Sequence, residues 1–408
     1  MELLAWAAAA FAASLLASWV GAGVALAPLR QAAPVAWVDR ARLGFPPRAA
    51  ARFALIFLPF AFAIAAESFS FGQSSAWPWV AAGVAGLAAF AAAFLVRVRV
   101  ERAVHGKPVA VRAMLRSLAA YWTVMFPHLL VAIVAAILVG DEIDVRSGVV
   151  LGATAIAVTL AMCGAGVFLA RVVGLARPAS DRLGRAVAAA SASTGVRPRA
   201  VYELHLAIAN AFALPAVGML LFTPPAVRAL DDPQLAAIAR HELGHVSEPR
   251  SAVAVRILNV VLLVVALVAV RPIVGGFRFD VGLPRLLAAV LVLGGTVLFA
   301  RLVGRPFARR MEERADAIAA RAGPDDGTYA RALEAIYAAN LVPAVLAVRG
   351  AHPHLYDRMV AAGVTPSWPR PVPPSRPRLR AALLACLGVT MVTLPIAIAI
   401  VLRVAGSP

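Results

Sequence analysis

Cysteine is scarce in this chain, and its scarcity limits the kinds of site that the chain can contain. Only two of the 408 residues are cysteines, Cys163 and Cys386, and each lies inside a long apolar run. Two cysteines in such positions predict neither a disulfide framework nor a metal site built from thiolates. A metal site in this protein would have to be built from histidines and carboxylates.

Charged residues are also few. They make up 15% of the chain, whereas hydrophobic residues make up 62%. This hydrophobic fraction is larger than that of an ordinary soluble domain. The apolar blocks are also long enough to cross about 30 Å of hydrocarbon. We therefore predict a mainly α, polytopic membrane protein with about eight transmembrane helices. The predicted spans lie near residues 3–28, 51–66, 77–96, 118–139, 148–170, 254–274, 286–304 and 381–402.

Lysine is nearly absent, since Lys107 is the only one, and the net charge of +18 comes from arginine. The arginines cluster after the first and third predicted spans, in 29–52 and 97–116, whereas 67–76 has no basic residue. Such clusters are typical of cytoplasmic loops, so the charge indicates membrane orientation and we predict no nucleic-acid partner. The N-terminus would then lie outside and the chain after the fifth span in the cytoplasm. We expect a multi-pass protein of the bacterial inner (plasma) membrane.

Changes in composition predict three domains. Residues 1–175 would form a membrane domain with about five transmembrane helices. Residues 176–380 contain two more polar stretches, which a predicted membrane hairpin at 254–304 separates. Residues 381–408 would form a last transmembrane helix.

An HExxH motif, His241-Glu242-Leu243-Gly244-His245, lies in the first polar stretch. Positions i and i+4 share one face of a helix, so both imidazoles could bind one zinc ion while Glu242 serves as general base. Asp232 is a suitable N-cap and Pro233 a suitable first helical residue, which predicts a helix over 233–247. The alternative is a chance match to a short pattern.

Two histidines leave a catalytic zinc ion short of a third protein ligand. Glu312 is the candidate, and Asp316, four residues later, could accept a hydrogen bond from a ligand histidine. The alternative is an exposed, charged helix. Two apolar stretches separate His245 from Glu312, so the chain crosses the membrane twice or not at all between them. In both cases Glu312 returns to the same side as the histidines.

The segment Asn210-Ala211-Phe212-Ala213-Leu214-Pro215, the HELGH segment, a membrane hairpin and Glu-x-x-x-Asp follow one another here. This order resembles the HtpX and CAAX prenyl protease family of membrane zinc metallopeptidases, with gluzincin-like motifs. A later His-Pro pair, His352-Pro353, followed by Arg358, is similar to another element of that family. The resemblance covers roughly 177–360.

The resemblance implies a zincin-like metallopeptidase module within 176–380, on the cytoplasmic side, that binds one Zn²⁺ per chain. It implies that the zinc ligands are His241, His245 and Glu312, that Glu242 is the catalytic base, and that Asp316 supports the ligands from behind. It also implies that His352 and Arg358 hold the substrate or the developing oxyanion. The segment 208–222 would be extended, and Asn210, Ala211 and Phe212 would pair with a substrate strand.

The function that we predict is an integral membrane zinc endopeptidase whose partners are polypeptide substrates, including membrane proteins, and the lipid bilayer. One alternative is a signalling peptidase resembling the beta-lactam sensor-transducers. Another is a non-catalytic membrane scaffold with a protease-like fold. A transporter is disfavoured, because the predicted spans lack paired intramembrane charges. Prenylated substrates are implied by the resemblance alone.

Overall fold

Long apolar helices make up most of the structure. The computed structural model describes residues 1–31, 36–69, 77–274, 282–323, 327–347, 353–374 and 376–405. Within these ranges seven helices are long and apolar enough to cross a membrane, or eight if one bent pair is counted as a span. The chain is a polytopic α-helical membrane protein, as the sequence predicts.

The described residues form the following helices and strands. The helices before the sheet are α1 (Glu2–Gln31), α2 (Trp37–Phe69), α3 (Trp77–His105), α4 (Val111–Met125), α5 (Pro127–Leu138), α6 (Val145–Leu160) and α7 (Gly166–Val172). The strands are β1 (Ala176–Pro178), β2 (Ala200–Leu204), β3 (Ala211–Leu214) and β4 (Met219–Phe222). The other helices are α8 (Asp181–Thr194), α9 (Pro224–Ala229), α10 (Asp232–Val246), α11 (Arg250–Val274), α12 (Leu283–Phe299), α13 (Arg305–Arg321), α14 (Thr328–Asn340), α15 (Leu355–Ala361) and α16 (Pro377–Ala405).

The chain forms two compact units, and the first comprises residues 1–113, 341–348 and 368–408. Helices α1, α2, α3 and α16 pack together in it around Trp6, Leu58 and Phe62, which are fully buried among alanines. Alanine allows helix backbones to approach closely where lipid provides no hydrophobic drive for association. The alanine-rich composition of these spans therefore serves tight helix packing.

The second unit comprises residues 114–340 and 349–367 and contains the only sheet of the described residues. The strand order is β1-β2-β4-β3, with β2 and β4 parallel and the two outer pairs antiparallel. Leu204 and Leu221 of the sheet pack against Ala120 of α4 and Val167 of α7. The membrane helices and the sheet thus share one core in this unit.

The fourth predicted span, 118–139, is not a straight helix. It consists of α4 and α5, which are bent by 79° at Phe126. Pro127 causes the break, because it has no backbone N–H to donate and its ring clashes with the preceding turn. The predicted fourth span therefore corresponds to this bent pair, which is the eighth candidate span of the described residues.

The membrane hairpin consists of α11 and α12, and the residues that join them, 275–281, lie outside the described ranges. α11 is long and apolar enough to span, and so is the continuous helix Leu283–Arg321, which begins with α12. A five-residue π-helical turn, Ala300–Gly304, joins α12 to α13, so that one helix runs from Leu283 to Arg321. The hairpin is therefore continuous with the helix that carries Glu312.

The predicted domain boundaries at 175 and 380 follow the hydropathy of the chain and stay a prediction. The two compact units follow packing instead, since α4 to α7 pack with the second unit and α16 packs with α1.

Candidate metal centre

Helix α10 carries the HExxH segment. Its N-cap is Asp231, whose carboxylate accepts the Gln234 N–H at 2.8 Å while the Gln234 side chain accepts the Asp231 N–H at 3.2 Å. This reciprocal pairing satisfies two backbone donors at the helix start. The predicted N-cap, Asp232, is instead the first helical residue, because its neighbour makes both cap bonds. Every residue from Leu235 to His245 is buried, so α10 is a core helix.

Helix α13 packs against α10 almost at backbone contact. A Cβ placed on Gly244 would lie 2.8 Å from the Ala315 Cα and 3.1 Å from the Ala315 Cβ. Arg314 donates to the carbonyl oxygens of Gly244 at 3.0 Å and Ser247 at 3.1 Å, which satisfies acceptors at the C-terminal end of α10. The close approach brings Glu312, one turn before Ala315, beside the two histidines.

The two imidazoles and one carboxylate converge. His241 Nε2 lies 3.7 Å from Glu312 Oε2, and His245 Nε2 lies 3.5 Å from Glu312 Oε1. One ligand atom from each of the three residues can be chosen so that all lie within 4.8 Å of one another. Ligands of a tetrahedral zinc ion are about 3.3 Å apart, since each lies about 2 Å from the metal. The three side chains therefore fit a zinc site with small adjustments.

The second ring nitrogen of His241, Nδ1, lies within hydrogen-bond distance of two side chains. It lies 3.0 Å from Asp316 Oδ1 and 2.9 Å from the hydroxyl of Tyr329, which itself donates to Asp316 Oδ1 at 2.5 Å. Acceptors at this position favour the tautomer that carries its proton on Nδ1, and this leaves the lone pair of Nε2 for a metal ion. Asp316 thus lies within hydrogen-bond distance of His241, and its supporting role stays a prediction.

Arg358 is buried behind the same carboxylate. Its guanidinium donates to Asp316 Oδ2 at 3.0 Å and Oδ1 at 2.7 Å, and to the Tyr329 hydroxyl at 2.8 Å. Burial alone would lower the pKa of Arg358, but Tyr329 and Asp316 outweigh it and raise that pKa above its usual range. Contact of Arg358 with a developing oxyanion stays a prediction. His352, the other residue predicted to hold substrate, lies outside the described residues.

His245 has a carboxylate partner of its own. Its Nδ1 lies 2.7 Å from Oε1 of Glu248, a residue whose side chain is completely buried. Burial would lower the pKa of His245, but hydrogen bonds to Glu248 and Glu312 outweigh this effect and raise the pKa to about 10. The negative charge of these carboxylates favours a proton on His245, and it favours a metal cation at the same site for the same reason. The proton and the metal ion compete for the imidazole.

Comparison with known proteins identifies the region around this site. Residues 178–366 match the sequence model of peptidase family M48. The chain carries an M48 peptidase domain. This family contains the HtpX and CAAX prenyl protease type membrane zinc metallopeptidases, so the predicted resemblance is confirmed, and the match supports metallopeptidase activity. No curated protein and no solved structure gives a significant match to the chain.

Two residues of the M48 domain that contact the histidines were missing from the sequence predictions. Tyr329 stacks on His241, with ring centroids 5.9 Å apart, but it is 88 residues away in the chain and no local pattern points to it. Glu248 follows His245 by three residues, and this spacing brings side chains together at the end of a helix. The spacing was a usable signal for Glu248.

The edge of the M48 sheet is formed by β3, which pairs only with β4 among the described strands. The Asn210 carbonyl accepts the N–H of Thr223 at 3.0 Å, and the Asn210 N–H donates to the Thr223 hydroxyl at 2.9 Å. Along an antiparallel strand, residues whose backbone groups bond to the neighbouring strand alternate with residues whose backbone groups point away from it. Since Asn210 bonds to Thr223, Phe212 is the next residue of β3 whose backbone bonds to β4. The backbone groups of Ala211 and Ala213 therefore face the open edge.

Proposed function

We propose that the chain is an integral membrane zinc endopeptidase that hydrolyses peptide bonds of polypeptides, membrane proteins among them, at the cytoplasmic face. One observation carries the proposal. Within an M48 domain, the Nε2 atoms of His241 and His245 converge on the Glu312 carboxylate, in a chain whose long helices are apolar enough to span a membrane.

We assign the zinc ligands as His241, His245 and Glu312, and the general base as Glu242. A zinc ion bound here would acidify a water molecule and polarise the scissile carbonyl. Glu242 is buried on α10 next to His241, so its carboxylate can accept the proton of the attacking water and pass it to the departing amine. Asp316 and Tyr329 hold His241 in the tautomer that can bind the metal, and Arg358 holds Asp316.

Substrate binding is assigned to the open edge of β3. A substrate strand would pair with the N–H and C=O groups of Ala211 and Ala213, which adds a fifth strand to the sheet. β3 packs against α10, and this places a paired strand near the helix that carries the histidines. Asn210 shapes the start of β3 through its bonds to Thr223.

The first experiment measures proteolysis by the purified full-length protein in detergent with added zinc. Casein, an unfolded reporter, is incubated with the wild type, with Glu242→Gln and with Glu313→Gln, while bound zinc is measured in parallel. Glu313 is an exposed carboxylate on α13 and is the matched control. We expect cleavage by the wild type and Glu313→Gln, and no cleavage by Glu242→Gln with its zinc still bound.

The outcomes separate the alternatives. Loss of zinc from His241→Ala and Glu312→Ala would support the assigned ligands, whereas full zinc occupancy in Glu312→Ala would show that the third ligand is wrong. A wild type that neither binds zinc nor cleaves casein would favour a non-catalytic scaffold and refute the proposal.

The cytoplasmic location rests on the arginine distribution and is tested separately. Cys163 and Cys386 are replaced by serine, and Glu313→Cys then supplies one exposed thiol near the metal site. We expect an impermeant maleimide to label it in inverted membrane vesicles and not in intact cells. Labelling in intact cells would place the site on the outer face.

A further inference from the structure

A buried glutamate that the proposed mechanism does not use lies at the end of α10. The Glu248 side chain has no exposed surface. Its Oε1 lies 2.7 Å from His245 Nδ1 and accepts a bond from Arg256 at 2.9 Å. Its Oε2 is also buried and has no hydrogen-bond partner among the residues that the structure describes.

Stability does not account for a carboxylate in this position. A buried ion pair often contributes no more than apolar residues of the same size, because both charges lose their water. The partner Arg256 is 37% exposed, which weakens its compensation of the fully buried Glu248, and the second carboxylate oxygen is unsatisfied. Among the described residues, Glu248 Oε1 thus contacts one partly exposed partner, Arg256, and one buried partner, His245.

We propose that Glu248 is a positioning residue for the metal site. It accepts the Nδ1–H of His245 and so fixes the tautomer and the ring orientation that aim Nε2 toward Glu312. Asp316 does the same for His241, so each ligand histidine has a carboxylate of its own. This inference rests on the proposed function, since it assumes that His245 is a metal ligand.

Arg256 connects this arrangement to the membrane hairpin. It lies two turns into α11, and its guanidinium holds the same oxygen that faces His245. The orientation of the second ligand histidine therefore depends on the seating of α11 against the end of α10.

The test is the zinc affinity of the full-length protein in detergent, measured by competition with a chromogenic chelator. Partners behind a ligand histidine change metal affinity by about 10- to 100-fold. We expect Glu248→Ala to weaken zinc binding toward the upper end of this range. Glu248→Gln keeps the shape and an acceptor oxygen but loses the charge, so we expect about tenfold. Glu313→Ala, which removes an exposed carboxylate of α13, should bind zinc like the wild type.

A purely structural role would give another pattern. In that case the variants would melt at lower temperature in the presence of chelator but would bind zinc as tightly as the wild type, and the visible spectrum of bound Co²⁺ would not change. If Glu248→Ala fails to fold, the isosteric Glu248→Gln decides, and an affinity within about twofold of the wild type would overturn the proposal. A wild type that binds no zinc would refute the proposed function instead. If the wild type binds zinc, Glu312→Ala loses it and both Glu248 variants bind it as tightly as the wild type, this inference alone is refuted.

Discussion

Replacing Asp316 by alanine removes the carboxylate on which three other groups depend. His241 would lose the acceptor 3.0 Å from its Nδ1, and Tyr329 would lose the acceptor of its hydroxyl proton. Arg358 would lose both of its bonds to this carboxylate. We therefore expect Asp316→Ala to weaken both zinc binding and folding.

The two losses differ in size because they have different causes. The Arg358 side chain is only 6% exposed, and without Asp316 the hydrogen-bond partner left to it among the described residues would be the Tyr329 hydroxyl. Removing one partner of a buried ion pair costs about 3–5 kcal/mol, a large part of the roughly 5–15 kcal/mol that holds a domain folded. Loss of the carboxylate that hydrogen-bonds to His241 should lower the affinity for zinc by about 10- to 100-fold, or roughly 1.4–2.7 kcal/mol of binding free energy.

The assay separates the two effects by measuring each with and without metal. Thermal melting of the full-length protein in excess chelator reports the folding loss, which should lower the melting temperature by roughly 10 °C. Chelator competition reports zinc affinity. Asp316→Asn keeps one acceptor and should show smaller losses in both. The control is Glu313→Ala, whose partner Arg309 is 69% exposed, so this pair contributes less than about 1 kcal/mol.

Two results would refute this reasoning. An Asp316→Ala variant that melts like the wild type in chelator would mean that Arg358 finds another partner. An unchanged zinc affinity would mean that His241 does not depend on Asp316 for its tautomer.

Three further predictions follow from other contacts. Tyr329→Phe keeps the ring on His241 and leaves Asp316 bonded to Arg358, so we expect a folding loss of about 1–2 kcal/mol in a melting assay, and no loss at all would contradict it. Gly244→Ala should push α13 away from α10 and lower both stability, by about 1–3 kcal/mol, and zinc affinity; a metal titration with full wild-type affinity would be the contrary result. Burial would raise the pKa of Glu203, but bonds from Ser180 and Arg177 outweigh it and lower that pKa below its usual 4.5. The stabilisation from Glu203 is thus present above pH 4.5 and lost as the pH falls through the lowered pKa. Glu203→Gln should therefore reduce the loss of folding stability at acidic pH in a series of melting curves. An unchanged dependence on pH would mean that these bonds contribute nothing.

Features of this site that depend on local spacing could be predicted from the sequence. The i and i+4 spacing of His241 and His245, and of Glu312 and Asp316, determines which side chains share a helix face. Two intervening apolar stretches determine that both pairs lie on one side of the membrane. These arguments need only helix geometry and hydropathy, and the structure places all four side chains together.

Features that depend on distant contacts could not be predicted in this way. Tyr329 reaches His241 only because α14 packs against α10, and the parallel pairing of β2 with β4 joins segments that nothing in their own sequence connects. The bend at Pro127 was predictable in kind, since proline breaks helices, but the apolar run through 118–139 obscured it. The N-cap was misplaced by one residue because Asp231 and Asp232 are both good caps.

The π-helical turn at Ala300–Gly304 determines the angular phase of everything that follows it on the same helix. A π turn accommodates one extra residue, and one residue corresponds to about 100° of rotation about the helix axis. Without the extra residue, Glu312 and Asp316 would point about a quarter-turn away from α10 while the hairpin kept its orientation. The hairpin helix and the helix that carries Glu312 can therefore each present the correct side to very different neighbours, apolar surroundings in one case and two histidines in the other, although they form one continuous rod.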